Sequence, residues 1–209
     1  MSWPLPRFRT HHLQDHISLV CRSTMWLTVG IALLFDEETT NHIRELQWHL
    51  TREYTLLSGR TFPPHLTLKS SFELPYQDVF RLTAYIEEFT SQIAPFTLMT
   101  DRIDHFGDRV LYLHFPPTPE LLHAHQTCLH GVQELFSVSP KPTEGEQVIF
   151  HATLALGDTT REMIESIKNN LTFCDKKQLI HSHHVALLVK ISPTSERRVF
   201  KTWRLGEVF

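Results

Sequence analysis

The chain is organised around the stretch Pro63-Pro64-His65-Leu66-Thr67-Leu68-Lys69, whose core recurs 86 residues later as Phe150-His151-Ala152-Thr153-Leu154. Both copies read His, a small or apolar residue, Thr and Leu, within runs rich in Leu, Thr and Phe that are typical of short strands. Because side chains alternate between the two faces of a strand, His65 and Thr67 share one face, as do His151 and Thr153. Each copy therefore presents an imidazole and a hydroxyl together, with apolar residues on the opposite face.

The rest of the chain alternates between strand-like and helix-like patterns. The apolar run at 26–35 predicts a buried first strand. It is too short to be a membrane-spanning helix, which needs ~20 apolar residues. Apolar residues spaced three and four apart predict helices, and β-rich runs closed by turn-forming residues predict strands. The predicted helices are 36–54, 75–93, 120–136 and 157–171, and the other predicted strands are 96–103 paired with 110–115, then 183–191 and 198–205. This order, with one His/Thr strand in each half, predicts an α+β or α/β fold with a rough internal duplication.

The first 24 residues differ from the rest of the chain. They contain two prolines, several histidines and scattered charges, and they show no hydrophobic period of either kind. We therefore predict a loosely attached N-terminal extension at 1–24 and a single bilobal domain at 25–209.

Composition limits the classes of partner and compartment. The net charge of −3 gives no basic surface for holding long nucleic acid, so a nucleic-acid substrate would be met at an end or as a small fragment. The three cysteines form no C-x-x-C pair, which favours reduced thiols and a cytoplasmic protein. We expect no membrane partner and a monomer.

The chain contains fifteen histidines, so we considered whether groups of them could bind a metal. One group, His123, His125, Cys128 and His130, lies on a predicted helix, and another, His181, His183 and His184, lies near a strand start. Only His125 and Cys128 are spaced to share a helix face closely, and no zinc pattern is completed by a carboxylate or a second cysteine. We therefore predict no metal site.

The two H-x-T motifs, one in each half and each followed by an apolar residue, resemble those of the 2H phosphoesterase superfamily. This superfamily includes the 2′-5′ RNA ligases and the LigT-like cyclic phosphodiesterases. The longer strings PPHLTLKSSFE (63–73) and VFKTWRLGEVF (199–209) are similar to a small bacterial branch of phosphoesterases. The resemblance covers about residues 25–209. It implies an α+β, two-lobed, pseudo-duplicated LigT-like fold, with antiparallel sheets around a central cleft and helices outside.

The resemblance also implies a chemistry that suits these residue types. Opening a 2′,3′-cyclic phosphate requires removing a proton from the attacking water or hydroxyl and giving one to the departing sugar oxygen. Two imidazoles facing each other across the phosphate can perform both steps without a metal or another cofactor. Hydroxyl donors aimed at the non-bridging oxygens stabilise the negative charge there.

The family roles transfer to this chain residue by residue. His65 and His151 take the acid–base roles, with the order left open, and Thr67 and Thr153 bind the phosphate. Lys69 is a candidate cation at the phosphate, because it follows Thr67 on the same strand face. Candidates for stacking a base are Phe62, Phe72 and Trp203.

One feature departs from the family pattern. Many LigT-like proteins carry an Arg shortly after the second motif, where this chain has Leu154-Ala155-Leu156-Gly157. Arg161 is a candidate substitute, although we predict that it lies in the following helix.

Three functions remain open from the sequence. The first is a metal-independent phosphodiesterase acting on a 2′,3′-cyclic phosphate or a 2′-5′ bond, at an RNA end or in a small nucleotide. The second is an RNA 2′-5′ ligase, which runs the reverse reaction. The third is a nucleotide- or RNA-end-binding module with little turnover, against which both intact His/Thr pairs argue.

Overall fold

A computed structural model of the protein describes residues 25–170, 179–190 and 197–207, so the predicted extension at 1–24 lies outside the described residues. The strands are β1 (Trp26–Phe35), β2 (His65–Pro75), β3 (Phe96–Met99), β4 (Ile103–Phe106), β5 (Val110–His114), β6 (His151–Leu156), β7 (Leu179–Lys190) and β8 (Arg198–Arg204). The α-helices are α1 (Glu37–Tyr54), α2 (Val79–Gln92), α3 (Pro119–Phe136) and α4 (Arg161–Asn170). Short 3₁₀ turns occupy Ser58–Thr61, Tyr76–Asp78 and Pro142–Glu144.

These strands form two antiparallel sheets. In the first sheet β1 lies between β2 and β7, while β3 and β8 pair with successive parts of the other edge of β7. The second sheet has the order β4-β5-β6. The predicted α+β fold with antiparallel sheets is therefore confirmed, and the α/β alternative is wrong.

The two motif strands lie at the edges of their sheets. β2 begins at His65 and forms one edge of the first sheet, and β6 begins at His151 and forms one edge of the second. The two edge strands contact each other. This arrangement brings the two halves of the chain together at the motifs.

The helices pack by the stripes that the sequence predicts. Asp36 caps α1 by accepting the Thr39 N–H at 2.7 Å, and Ile43, Leu46 and Leu50 form its buried face. Thr118 caps α3 in the same way, with Pro119 in the first turn. In the part of the chain that the structure describes, no helix is long and apolar enough to cross a membrane.

The largest difference from the predicted elements concerns residues 96–103. We expected one strand paired with 110–115, whereas the structure has β3 in the first sheet and β4 in the second. Phe96, Leu98 and Ile103 are all buried. The apolar pattern therefore indicates burial along the whole segment, but it does not show that the chain passes from one sheet to the other. Similarly, β2 extends to Pro75 and a 3₁₀ turn precedes α2, which starts at Val79.

Polar contacts fix β6 against the first half of the chain. The side-chain amide of Gln47 donates to the carbonyl of Gly59 at 2.7 Å and to that of Thr153 at 3.2 Å. The Asp158 carboxylate accepts from the Ser58 N–H at 2.9 Å and from the Ser58 hydroxyl at 2.5 Å. The second motif is thus held by the 3₁₀ turn at Ser58–Thr61.

Gly59 allows this turn to approach β6 closely, and we expect Gly59→Ala to destabilise the fold. A Cβ at Gly59 would lie 1.8 Å from the Leu154 carbonyl oxygen, so the backbone of β6 would have to move. We expect a loss of about 1–3 kcal/mol or more in the free energy of unfolding, measured by urea denaturation.

Gly145→Ala is the matched control, because the nearest atom to its added Cβ is 3.8 Å away. We expect it to change the free energy of unfolding by less than about 0.5 kcal/mol. Equal stabilities of the two variants would contradict the close approach of Gly59 to β6.

Candidate active site

The two motif histidines are oriented by equivalent backbone contacts. Nδ1 of His65 lies 2.7 Å from the Pro63 carbonyl oxygen, and Nδ1 of His151 lies 2.8 Å from that of Ile149. Because a carbonyl only accepts, each Nδ1 carries the hydrogen and donates it to the residue two positions earlier. Each Nε2 is therefore the nitrogen left to gain or lose a proton.

A pocket of about 390 Å³ lies between the two motif strands, and Thr67, His151 and Thr153 line it. His65 precedes Thr67 by two residues on the same side of β2, and both are half-buried, whereas Leu66 is fully buried. Three of the four residues that the sequence singles out therefore line one pocket, and His65 lies two residues before Thr67 on the same strand face, as strand alternation predicts.

Burial dominates the electrostatics of both imidazoles. It lowers the pKa of His65 to about 4; the hydrogen bond to Pro63 acts against this shift, and the charges of Arg197 and His151 add to it. Burial also lowers the pKa of His151, with His114 adding to the shift and the bond to Ile149 opposing it. Burial therefore favours the neutral form of both imidazoles in the free protein.

An aromatic wall next to His151 was not predicted from the sequence. The ring centroids of Phe106 and Tyr112 lie 5.0 and 5.1 Å from that of His151. In the pairing of β5 with β6, Tyr112 lies opposite Thr153, and His114 lies opposite His151. These neighbours could not be predicted from the sequence, because the alternation of side chains within β6 does not show which strand pairs with it.

Phe106 extends this wall into the pocket. It lines the pocket together with Val110 and Leu156, which gives one side of the site an apolar surface. The three predicted stacking residues are placed differently. Phe72 is 7% exposed and Trp203 is 2% exposed, and both belong to the hydrophobic core.

A buried ring has no free face, so the predicted stacking role does not fit Phe72 or Trp203. Phe62 is half-buried, and its ring lies edge-on to His65 with the centroids 6.0 Å apart. Of the three predicted candidates, it is therefore the one placed beside a motif histidine.

Lys69 also differs from the sequence-based prediction. It is 1% exposed, and its ammonium lies 2.8 Å from Oε2 of Glu144. The register of β2 against β1 shifts on either side of the Lys69–Ile31 pair, which breaks the alternation after Thr67. The predicted role of Lys69 as a free cation at the phosphate does not fit this placement.

A buried polar network surrounds this ion pair beside the pocket. The Glu144 carboxylate also accepts the Ser70 N–H at 2.5 Å and the Lys141 N–H at 2.7 Å. Burial alone would raise the pKa of Glu144, but these bonds hold it below its ordinary value. His125 contacts the carbonyl oxygens of Leu68 at 2.7 Å and Glu144 at 3.0 Å, which links β2, α3 and the 3₁₀ turn before β6.

None of the histidine groups considered from the sequence forms a metal site in the described ranges 25–170, 179–190 and 197–207. No group of three or more His, Cys, Asp or Glu residues is arranged there to hold a metal ion. Both ring nitrogens of His125 instead contact the carbonyl oxygens described above.

Comparison with known proteins adds to this geometry. The sequence model of the 2′-5′ RNA ligase superfamily matches residues 35–185, which include both motifs. The chain belongs to this superfamily. The resemblance to the 2H phosphoesterases is thereby confirmed, and the family places the protein among phosphoesterases.

Individual proteins show the extent of the similarity. A Bacillus licheniformis protein named as a candidate phosphoesterase is 26% identical over 113 residues, which are 49% of this chain and 67% of that protein. A Halalkalibacterium halodurans protein with a similar name is 23% identical over 184 residues, covering 87% of this chain and 99% of its own. The crystal structure of Escherichia coli LigT is similar with a TM-score of 0.57 and 16% identity, covering 87% of this chain and 99% of LigT.

Arg161 and Arg197 differ in burial and in the residues that they contact. Arg161, the predicted substitute for an Arg after the second motif, is exposed on α4, with its Nε 3.3 Å from Glu165 Oε1. Arg197, which precedes β8, is half-buried, and its Nη2 donates to the Ser71 hydroxyl at 2.8 Å. Sequence reasoning missed Arg197 because it belongs to neither motif and to no hydrophobic period.

The buried Lys69–Glu144 pair generates a prediction about stability. We expect Lys69→Met to lower the free energy of unfolding by about 3–5 kcal/mol, because the Glu144 carboxylate would stay buried without its cation. The double variant Lys69→Met/Glu144→Gln should recover part of this loss, since it removes the unpaired charge. Urea denaturation of the variants measures both effects.

Lys168→Met is the surface control, because Lys168 lies 3.3 Å from Asp104 with 41% of its side chain exposed. A surface pair contributes about 0–1 kcal/mol. If Lys69→Met lowered the free energy of unfolding no more than Lys168→Met, the buried pair would not hold β2 against the 3₁₀ turn at Pro142–Glu144.

Proposed function

We propose that the protein is a metal-independent phosphodiesterase that opens 2′,3′-cyclic phosphates or cleaves 2′-5′ phosphodiester bonds, at RNA ends or in small nucleotides. The observation that carries the proposal is the pair of imidazoles, each with Nδ1 bonded to the backbone, beside two threonines that line one pocket together with His151. Two such groups supply both proton transfers that the reaction needs.

In hydrolysis of a cyclic phosphate, one imidazole acts first as a base. Its neutral Nε2 takes a proton from water as the water oxygen bonds to phosphorus. The bond from phosphorus to the 2′ or 3′ oxygen then breaks, and the other imidazole gives its Nε2 proton to that oxygen. The product is a phosphomonoester, and one further proton exchange with water restores both imidazoles.

The threonines have a separate role in this proposal. The Thr67 and Thr153 hydroxyls donate to the non-bridging phosphate oxygens, where negative charge rests during the reaction. Both side chains line the pocket from opposite sheets, so the phosphate would be held between the two motif strands. Donors of this kind stabilise the transition state more when water is excluded from the site.

The size and surface of the pocket favour a nucleotide. Its volume of about 390 Å³ lies in the range of small-molecule sites, and its Phe106, Val110 and Leu156 side offers apolar contact for a base. E. coli LigT, which has a similar fold, has been solved in complex with 3′-AMP, ATP and NADP⁺. We therefore infer that the scissile phosphate belongs to a nucleotide or to the terminal nucleotide of an RNA.

The proposal includes a monomer in the cytoplasm. The four groups assigned to the reaction come from one chain, so catalysis requires no second copy. Cys128 is a free and fully buried thiol, which suits a reducing compartment.

Removing either motif histidine should nearly abolish turnover. We expect His65→Ala and His151→Ala each to lower kcat by about 100- to 10,000-fold on 2′,3′-cyclic AMP, because each removes one proton transfer. Wild-type turnover should survive EDTA. Both are measured by the release of 2′- or 3′-AMP, with short RNAs ending in a cyclic phosphate as a second substrate.

His123→Ala is the control, since His123 is exposed on α3. The two-histidine mechanism would be wrong if turnover required a metal or survived either motif substitution. Absence of turnover by the folded wild-type protein on the whole panel would favour the binding-module alternative.

The lowered pKa values predict an acidic optimum for kcat/KM. The productive free enzyme has one imidazole neutral and the other protonated. This form is lost below the lower pKa, where the base gains a proton, and above the higher pKa, where the acid loses one. Since burial lowers the pKa of His65 to about 4 and lowers that of His151 below its ordinary value, we expect a bell-shaped profile with its maximum on the acidic side of the ordinary pKa of histidine.

The profile is measured on 2′,3′-cyclic AMP from pH 3.5 to 9 in buffers of constant ionic strength. A maximum above pH 7 would show that the imidazoles keep or exceed their ordinary pKa values in the free enzyme. The profile of kcat should lie at higher pH than that of kcat/KM, because the bound phosphate anion favours protonated imidazole.

A further inference from the structure

A tryptophan and an arginine form a stacked pair on the surface. Trp48 lies on α1 and Arg60 lies in the 3₁₀ turn at Ser58–Thr61, with the guanidinium carbon of Arg60 3.6 Å from the centroid of the Trp48 ring. Trp48 is nevertheless 51% exposed. A single exposed apolar residue is ordinary in a soluble protein. A tryptophan whose ring is ordered by a guanidinium is different, because the two planes together form a preformed stacking surface.

The stacked pair is fixed against the strand that carries the second motif. The residues immediately before its two members are Gln47 and Gly59. The Gln47 side chain donates to the Thr153 carbonyl at 3.2 Å. Gly59 lies so close to the Leu154 carbonyl that a Cβ would be 1.8 Å from its oxygen. Both members of the pair are therefore held next to β6 by contacts of their neighbours.

The turn that carries Arg60 also borders the pocket. The Ser58 hydroxyl accepts the Leu156 N–H at 2.6 Å, and Leu156 lines the pocket. Leu57 and Leu156 are both exposed for more than half of their surface. Exposed apolar surface therefore extends from the Leu156 side of the pocket to the turn. Such surface suits a nucleoside better than it suits a phosphate alone.

The charges around the pair are mixed. Arg44 and Arg52 lie one turn of α1 before and after Trp48, and Glu45 and Glu53 lie beside them. The Arg52 guanidinium is 3.6 Å from the Glu53 carboxylate. A mixed surface of this kind does not track a long nucleic acid backbone, which requires a stripe of cations. It fits contact with one nucleotide.

The chemistry of the pair matches a base next to a phosphate. Aromatic rings and arginine guanidinium planes are the groups on which unstacked RNA bases stack. A stacked guanidinium keeps its charge and its N–H donors at its edge, so it can meet a base through its plane and a phosphate through its edge. Neither group requires a particular base.

We propose that Trp48 and Arg60 form a stacking site for the base of the penultimate nucleotide of a single-stranded RNA whose terminal 2′,3′-cyclic phosphate occupies the pocket. The inference rests on the proposed phosphodiesterase function and narrows its substrate to the end of an RNA chain. The base stacks on the exposed surface of the pair. The edge of the guanidinium faces the phosphate that joins the last two nucleotides.

The test compares 2′,3′-cyclic AMP with the dinucleotide ApA ending in a 2′,3′-cyclic phosphate. We expect the full-length wild-type protein to have a kcat/KM about five- to 100-fold higher on the dinucleotide, which is the contribution of stacking one base. Trp48→Ala should abolish this preference and Arg60→Gln should reduce it, with turnover of 2′,3′-cyclic AMP unchanged. Trp48→Phe should retain part of it, because an aromatic ring remains.

Two control variants match the residues of the pair. Trp26 is 55% exposed and lies at the end of β1 away from the position paired with His65. Arg81 is exposed on α2, with its guanidinium carbon 5.3 Å from the centroid of the Phe136 ring. We expect Trp26→Ala and Arg81→Gln to keep the full preference for the dinucleotide. If either control lost it as Trp48→Ala does, the inference would be overturned.

A dinucleotide with an abasic penultimate ribose separates contact with the base from contact with the phosphate. The wild-type protein should turn it over no faster than 2′,3′-cyclic AMP. Full preference for the abasic form would contradict stacking. A loss in Trp48→Ala that is equal on 2′,3′-cyclic AMP and on the dinucleotide would indicate a structural effect and would also overturn the inference. Thermal unfolding of each variant checks that the fold is retained.

Calorimetric titration gives a readout that does not require turnover. We expect the wild-type protein to bind ApA ending in a 3′-phosphate about fivefold or more tightly than 3′-AMP, and Trp48→Ala to bind both equally. If this difference were found without turnover of any cyclic phosphate, the proposed function would fail while the stacking site stood. If Trp48→Ala kept the wild-type difference, the stacking site would be wrong while the two-histidine function stood.

Sedimentation velocity tests whether a second copy of the chain covers the pair instead. We expect the wild-type protein and Trp48→Ala to sediment alike. A wild-type dimer that Trp48→Ala converts to monomers would assign the exposed tryptophan to an interface between copies and overturn the inference.

Discussion

The two-residue repeat of the β-strand is the constraint on which the candidate site depends. On β2 and β6 it directs Leu66 and Leu154 into the core, where they are 0% and 1% exposed, and the intervening histidines and threonines into the cleft. A slip of one residue in either strand would exchange the two sets. Core packing therefore holds the imidazoles in position, so the apolar residues of the motifs matter to the candidate site as much as the polar ones.

Alternation orients each motif, but the position of one motif relative to the other depends on polar contacts between the halves. Gln47 reaches the Thr153 carbonyl from α1, and Glu144, shortly before β6, holds Lys69 of β2. Burying an ion pair contributes little net stability, because desolvation offsets much of the attraction. Here the ion pair mainly fixes the position of β2 relative to the segment before β6, because few arrangements satisfy the ammonium, the carboxylate and two backbone N–H groups together.

The motifs and most element bounds could be predicted because they are local properties of the sequence. Alternation alone predicts which strand face is occupied by His65, Thr67, His151 and Thr153. What the sequence does not encode locally is the partner of each strand. The split of 96–103 between two sheets, the inward turn of Lys69 at a shifted register and the contact of Tyr112 with His151 all depend on which strand lies alongside.

The electrostatics of the cleft make its two imidazoles unequal despite their equivalent backbone bonds. Burial lowers both pKa values, but Arg197 acts on His65, whereas His114 acts on His151. These neighbouring charges add to the effect of burial, so the protonated form of each imidazole is disfavoured in the free protein. In the proposed reaction, a bound phosphate anion would favour the protonated imidazoles and so oppose both effects. The scissile phosphate would thus help to protonate the imidazole that serves its own leaving oxygen, whichever of the two that is.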